Sequence, residues 1–229
     1  MSPFFASSRF IPQITMTASP RIFGRTNRPV PFLWKPLGAG AYGDESWCAV
    51  EIGPEALDRR SDPVVIERLA SLGLKRCDVL IVQDLLSNDL KVGWPTHRLM
   101  QLREKGLCDW FAIEIHSPLE AEWIAGNAPV YGIIAPYCAS DMGLRYRTFE
   151  AAHNAGVAIV SRATSLDDVR LQLATPQICA TIVDDAIAER ATHASPLQED
   201  EVEALWQAYQ ASTPAPAKLR SGHPPDFGV

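Results

Sequence analysis

The sequence predicts an α/β domain built on a parallel sheet with helices laid over it. Three observations carry that reading. Six short apolar runs recur along the chain, segments with helical apolar spacing alternate with them, and the connections between the two are short. The first run, 29–35 (PVPFLWK), is an apolar strand candidate, though its prolines weaken the ladder it could join. The Gly-rich stretch 38–43 and a polar loop come next. Asp62 is placed to cap a helix with Pro63 at its first position, and Ile66, Leu69 and Ala70 form its apolar stripe. The run 78–83 (DVLIVQ) reads as a buried strand. Thr96 opens a helix through Leu99, Leu102 and Lys105 that Gly106 closes.

The same alternation continues to the C-terminus. Residues 109–115 read as a strand, and Ser117-Pro118-Leu119-Glu120 has the pattern of a capping box. Strand 130–136, a helix over 146–154 ended by Gly156, strand 157–161, a helix over 167–174 and strand 178–183 follow. Ser195-Pro196-Leu197-Gln198 opens a last helix through Trp206, and a Pro-rich tail starts at Thr213. The domain reading is an N-terminal extension over 1–20, one barrel or sheet domain over 21–212, and a flexible tail over 213–229. Alternation alone does not separate a closed barrel from an open doubly wound sheet.

Composition narrows the partners. With 229 residues, 47% of them hydrophobic, the chain can bury one sizeable core. The net charge of -6 and the lack of a Lys/Arg-rich run argue against nucleic-acid and acidic-membrane partners. The five cysteines show no C-x-x-C pair. Cys77, Cys108 and Cys179 lie in or beside apolar runs, as buried free thiols of a reducing compartment do. No charged, apolar leader and no spanning-length apolar stretch is present, so a soluble cytoplasmic protein is expected. The histidines are far apart, without His-x-x-x-His spacing, so no metal site is expected. No G-x-S-x-G, G-x-G-x-x-G or phosphate-loop motif occurs.

Several blocks in register resemble the aldo/keto reductases. LASLGLKRCDVLIVQD (69–84) is similar to that family's "SLKRLG" helix leading to "DLYLIH", and LREKGLCDWFAIEIHS (102–117) to "LREEGLVRAIGVSVHS". YGIIAPYC (131–138) resembles "DVVQVPYN", and AGVAIVSRATS (155–165) resembles "RGVAVIARSPL". LQLATPQICATIV (171–183) and the Ser195 helix also have counterparts, "LRFLANPGVTAVIV" and "PLSPEELAAL". The resemblance implies a (β/α)8 TIM-type barrel. It also implies an incomplete one, with about six clear βα units matching the family's third to eighth strands and the first two missing or replaced. Open edges would then invite self-association or a partner subunit, unless part of the N-terminus, such as 10–14, adds a strand.

The resemblance further implies NADP- or NAD-dependent reduction of a small carbonyl substrate, with a Tyr as proton donor beside a Lys and an Asp, and a His orienting the substrate. Lys35 would be the lysine. The His position is Gln83, which donates a hydrogen bond but has no titratable proton. Tyr42-Gly43-Asp44-Glu45 echoes the tyrosine motif but follows Lys35 instead of preceding it. The Ser that would hold the nicotinamide carboxamide is Glu114, the Gln is Ile134 and the Asn is Cys138. Arg162 stands where a flat side chain stacks under the ring, and a guanidinium can stack. Asp184 and Asp185 face the expected phosphate position, with Arg190 as the available counter-charge.

Two classes of function therefore stay open. One is a reductase that binds NADP or NAD through unusual ligands. The other is a barrel without a cofactor, either a non-catalytic subunit or a non-redox acid–base enzyme (a lyase or isomerase) acting beside a carbonyl. For the latter, Lys35, Gln83, Glu114, His116, Tyr137 and Arg162 would gather at the mouth. The plainer readings are a solvated strand-end Lys35, a core Glu114 paired with Lys35 or Arg162, a solvated loop His116 and an exposed Arg190.

Overall fold

The computed structural model describes residues 20–44, 46–58, 62–85 and 93–213. The segments 1–19 and 214–229 fall outside it, and with them the expected strand at 10–14 and nearly all of the Pro-rich tail. Eight strands close into a barrel: β3 (Leu33–Gly38), β4 (Ala41–Asp44), β5 (Trp47–Ile52), β6 (Cys77–Val82), β7 (Cys108–Glu114), β8 (Gly132–Ile134), β9 (Ala158–Arg162) and β10 (Ile178–Ile182). From β5 to β10 every neighbouring pair is parallel, and β10 joins β3 in parallel through Thr181 opposite Leu33 and Ile182 opposite Trp34. Among the described residues the α-helices are α1 (Asp62–Ser71), α2 (Trp94–Glu104), α3 (Pro118–Asn127), α4 (Thr148–Ala155), α5 (Leu166–Leu173), α6 (Asp185–Ala191) and α7 (Glu199–Ser212).

This is the expected barrel with six βα units, and three details differ from expectation. The apolar run near residue 33 is the first strand of the barrel, paired with the last, and not a third strand. Its opening residues 29–30 belong instead to β2 (Pro29–Val30), which pairs with β1 (Arg21–Ile22) in a small hairpin outside the barrel. The expected loop after Gly38 is two further strands. β3, β4 and β5 form an antiparallel meander, with β4 paired to both neighbours. That meander replaces the two missing βα units and closes the barrel, so the expected open edges do not exist.

Strand alternation divides the core in two. Trp34, Trp47, Ala49, Val79, Ile81, Ala112, Ile134, Val160 and Ile182 fill the lumen. Val50, Ile52, Leu80, Phe111, Ile113, Ile133 and Ile159 face the helices. Phe23, between β1 and β2, plugs one end of the lumen against Trp34 and Trp47. The plug needs a glycine opposite, since a Cβ on Gly132 would lie 2.8 Å from the Phe23 ring. Arg21 fastens the hairpin by donating to the carbonyls of Leu173 (2.7 Å), Thr175 (2.8 Å) and Ile178. Cys77, Cys108 and Cys179 are buried free thiols, as expected. Burial pushes Cys108 and Cys179 up to about 12, which leaves them protonated and unreactive.

Two helices are clamped together by Asp62 at the start of α1, which accepts from Lys105 and Arg98 beyond and within α2. The Lys105 hydrogen bond, helped by Arg98, holds the Asp62 carboxyl below the usual range. A carboxyl lowered by folding stabilises the fold above its unfolded pKa, and that contribution disappears as pH falls through the folded value. Asp62→Asn is therefore expected to lower the urea midpoint at pH 7 and to leave it unchanged near pH 2. An equal loss at both pH values would show that the clamp is not ionic.

Candidate active site

The strands end at one rim of the barrel, where chemistry sits in barrels of this kind. Four lumen-facing side chains meet there. Arg162, the last residue of β9, donates from Nε to Glu114 Oε1 at 2.7 Å, from one terminal nitrogen to Glu51, and from the other to the Tyr42 hydroxyl at 3.3 Å. The guanidinium also lies 5.7 Å from the centre of the Tyr42 ring. Each member arrives by strand register: Tyr42 on β4, Glu51 on β5, Glu114 on β7 and Arg162 on β9. The side chains of Glu51 and Glu114 are 10% and 11% exposed, and that of Arg162 is 33% exposed.

Their electrostatics follow from that packing. Burial alone would lower the Arg162 pKa, but the hydrogen bonds to Glu114, Glu51 and Tyr42 outweigh it and raise it further above the ordinary value. Burial pushes the Tyr42 phenol up, and the Arg162 hydrogen bond opposes that shift without cancelling it. Tyr42 thus stays a protonated donor near neutrality. Arg162 bonds both carboxylates, and Arg68 also reaches Glu51, its Nε donating to the Glu51 carbonyl at 3.3 Å.

The residues expected at the mouth divide. Glu114 and Arg162 are there and bonded to each other. Gln83 follows β6 in the lumen-facing register, its backbone N–H donating to Ile52, and is half-buried at the same rim. His116 lies just past β7 but is 74% exposed, 3.8 Å from the equally solvated Asp84. Lys35 is not at the mouth. In β3 its neighbours Trp34 and Pro36 take the lumen side, and Lys35 is exposed on the outer wall near Leu173 and Ala191. Tyr137 is not there either. It is fully buried outside the lumen, 5.3 Å from the Phe149 ring, with its hydroxyl 3.5 Å from Thr175 Oγ1. Arg190 is exposed in the last turn of α6, at the far end of that helix from Asp184. Glu51 and the location of Tyr42 escape a reading of the sequence, because the stretch that forms β4 and β5 has the look of a polar loop. The alternation in WCAVEI (47–52), with Cys48, Val50 and Ile52 on one face, is the signal for the second of these strands.

Solved structures share this architecture. The aldo-keto reductase AKR11C1 from Bacillus halodurans, in its holo form, superposes with a TM-score of 0.61 at 13% identity, covering 90% of this chain and 99% of that one. An aldo-keto reductase, MGS-M4, from a Medee basin deep-sea metagenome library gives 0.54 at 10% identity over 76% of this chain and 75% of its own. The thermostable aldo-keto reductase Tm1743 gives 0.52 at 16% identity, over 69% of each chain. The barrel has the aldo-keto reductase fold. Identities this low establish the fold and leave the chemistry to the residues of this chain. No protein-family model and no curated protein matches the sequence.

The positions that the sequence resemblance assigns to a nicotinamide carry other side chains here. Ile134, in place of the glutamine, is buried in the lumen core and offers the carboxamide no partner. A buried amide left unmatched is penalised by roughly 1–3 kcal/mol. Glu114, in place of the serine, is already held by Arg162. Cys138, in place of the asparagine, is half-buried with its sulfur 3.2 Å from Ser140 Oγ. At the expected phosphate position, the Asp184 carboxylate caps α6 by accepting from the Ile187 N–H at 2.7 Å. The helix end is thus occupied by the chain's own anion. Among the described residues no group of His, Cys, Asp or Glu could hold a metal ion, and no helix is long and apolar enough to cross a membrane.

Proposed function

We propose that this protein is an aldo-keto reductase relative whose nicotinamide subsite is filled by its own Glu51–Arg162–Glu114 bridge, so that it no longer carries out NADP- or NAD-linked carbonyl reduction. The observation that supports this is the bridge itself. A nicotinamide ring stacked on Arg162 could draw its carboxamide contact from Glu114 only if Glu114 turned away from that cation, and both carboxylates of the bridge are about nine-tenths buried. Breaking a buried pair of this kind costs about 3–5 kcal/mol. Micromolar binding is worth about 8 kcal/mol in total, so a large share of the affinity would be lost. The remaining function is a non-catalytic role or non-redox proton transfer at the mouth, with Tyr42 as donor and Glu51 or Glu114 as base. The buried free thiols favour a reducing, cytoplasmic setting.

A second reading is a working reductase of small carbonyl compounds. Two observations favour it: the fold neighbours are reductases, one of them solved in holo form, and the Tyr42 hydroxyl lies beside a cation, as a proton donor for a carbonyl oxygen would. Titration of the purified protein with NADPH and NADH, followed by nicotinamide fluorescence, separates the two. No binding up to millimolar cofactor by a folded protein is the expected result. Saturation at micromolar cofactor would overturn the proposal and restore the reductase.

A further inference from the structure

Two hollows meet at the turn between α5 and β10. The larger, about 1190 Å3, lies between α4, this turn and the start of α7, and its apolar walls include Tyr137, Phe149, Leu173, Leu197 and Val202. The smaller, about 450 Å3, lies between the β1–β2 hairpin, α4 and the strands β9 and β10, with Ile22, Val157, Ile159 and Cys179 on its walls. Phe149, Pro176 and Gln177 line both, so the two form one groove. Ile22, in the smaller hollow, is 51% exposed although apolar. Three acids at the start of α7, Glu199, Asp200 and Glu203, line the larger hollow.

The chain enters the described structure at this groove. Arg21 lines the smaller hollow and is pinned to the turn by its bonds to the carbonyls of Leu173, Thr175 and Ile178. Pro20 therefore starts the preceding segment at the edge of the groove. Residues 1–19 match it in chemistry. They include Phe4, Phe5, Phe10, Ile11, Ile14 and Met16, one cation, Arg9, and neither Asp nor Glu. Apolar side chains of this size are favourably removed from water by apolar walls, and Arg9 is complementary to the acidic start of α7. The reach is sufficient, since Ile14 and Phe10, six and ten residues before Pro20, extend to roughly 20 and 33 Å along a stretched chain. The segment 214–229 is less well placed. It leaves from Thr213 at the other end of the 14-residue α7, roughly 20 Å from the acids. We propose that residues 1–19 lie along this groove, with Ile14 over the smaller hollow, Phe10 in the larger one and Arg9 facing Glu199, Asp200 and Glu203.

Trypsin cleavage after Arg9 in the full chain, followed by mass spectrometry, tests this, with a synthetic peptide of residues 1–19 as the unprotected reference. Cleavage of the folded chain is expected to be at least about 10-fold slower than that of the peptide, as docking through buried apolar side chains provides. Val202→Glu in the groove wall, checked for folding by circular dichroism, is expected to remove most of that protection. Ile14→Glu in the segment is expected to do the same, and it changes no residue of the barrel. Wild-type cleavage at the peptide's rate, or protection that survives either substitution, would overturn the proposal. So would protection that fades on dilution, which assigns the segment to the groove of a second copy. Faster cleavage after Arg220 in Val202→Glu, with Arg9 open in the wild type, would assign the groove to the C-terminal segment instead.

Discussion

Gly43→Ala is expected to prevent the barrel from closing. Gly43 sits in the middle of the β3–β4–β5 meander, opposite Lys35 on one side and Cys48 on the other. Its φ of +137° is a conformation that side chains rarely adopt, and a Cβ there would lie 2.0 Å from the Trp47 carbonyl oxygen and 3.0 Å from the Cys48 Cα. Both obstacles are backbone, so no rotamer relieves them. The strands must separate, and the lumen indoles of Trp34 and Trp47, 4.1 Å apart, lose their enclosure. The expected loss exceeds about 4 kcal/mol, beyond what ordinary point substitutions produce. Gly73→Ala is the control. It also has positive φ (+71°), but a Cβ there would meet nothing within 4 Å, so only backbone strain of about 1 kcal/mol is expected. Urea unfolding of both variants checks this. Equal midpoints would mean that β4 and β5 do not approach as closely as described.

The second large effect is at the mouth. Arg162→Met is expected to cost about 3–5 kcal/mol at pH 7, because it leaves Glu51 and Glu114, both about nine-tenths buried, without the cation they share. For a domain of this size that lowers the melting temperature by on the order of 10 °C. Adding Glu51→Gln and Glu114→Gln to Arg162→Met should recover most of the loss, since an amide tolerates burial far better than an unpaired charge. Thermal denaturation of the single and triple variants is the measurement. A single variant within about 1 kcal/mol of wild type would show that solvent already screens the two carboxylates. It would also remove the energetic argument against a nicotinamide at this position.

The parts of the fold legible in the sequence are those encoded by local period. The β6 run DVLIV, the β10 run ICATI and the helix that opens at Asp62 announce themselves by apolar spacing and capping residues, and the structure places them where expected. β4 and β5 are not legible, for a physical reason. AYGD and WCAVEI are short, contain glycine or charge, and point one face into a lumen that tolerates Tyr42 and Glu51 only because Arg162 meets them there. Read alone, Glu51 is a solvated loop acid. Lys35 and Tyr137 fail as site residues for a related reason. One residue of register decides which side of a strand a side chain takes, and no local pattern tells whether a side chain at a strand end turns into the lumen or under a helix. Glu114 and Arg162 are legible from their positions at the ends of β7 and β9, and their mutual bond is the plainer of the two readings the sequence offers for Glu114.

The sequence by itself determined the alternation of strands and helices from β6 onward and the buried thiols, because each of these is a matter of which side chain stands where along a local repeat. The caps it offered at Thr96 and Ser195 are not the ones the helices use, and Ser117 stands at the start of α3 without a capping bond from its side chain. Only the tertiary structure decided that the barrel closes, which strand comes first, and which four side chains share the mouth. Closure depends on Leu33 meeting Thr181, and the mouth on Tyr42 and Glu51 meeting Glu114 and Arg162. Those pairings join residues far apart along the chain, and they are fixed by strand order and register, not by the period of any one segment.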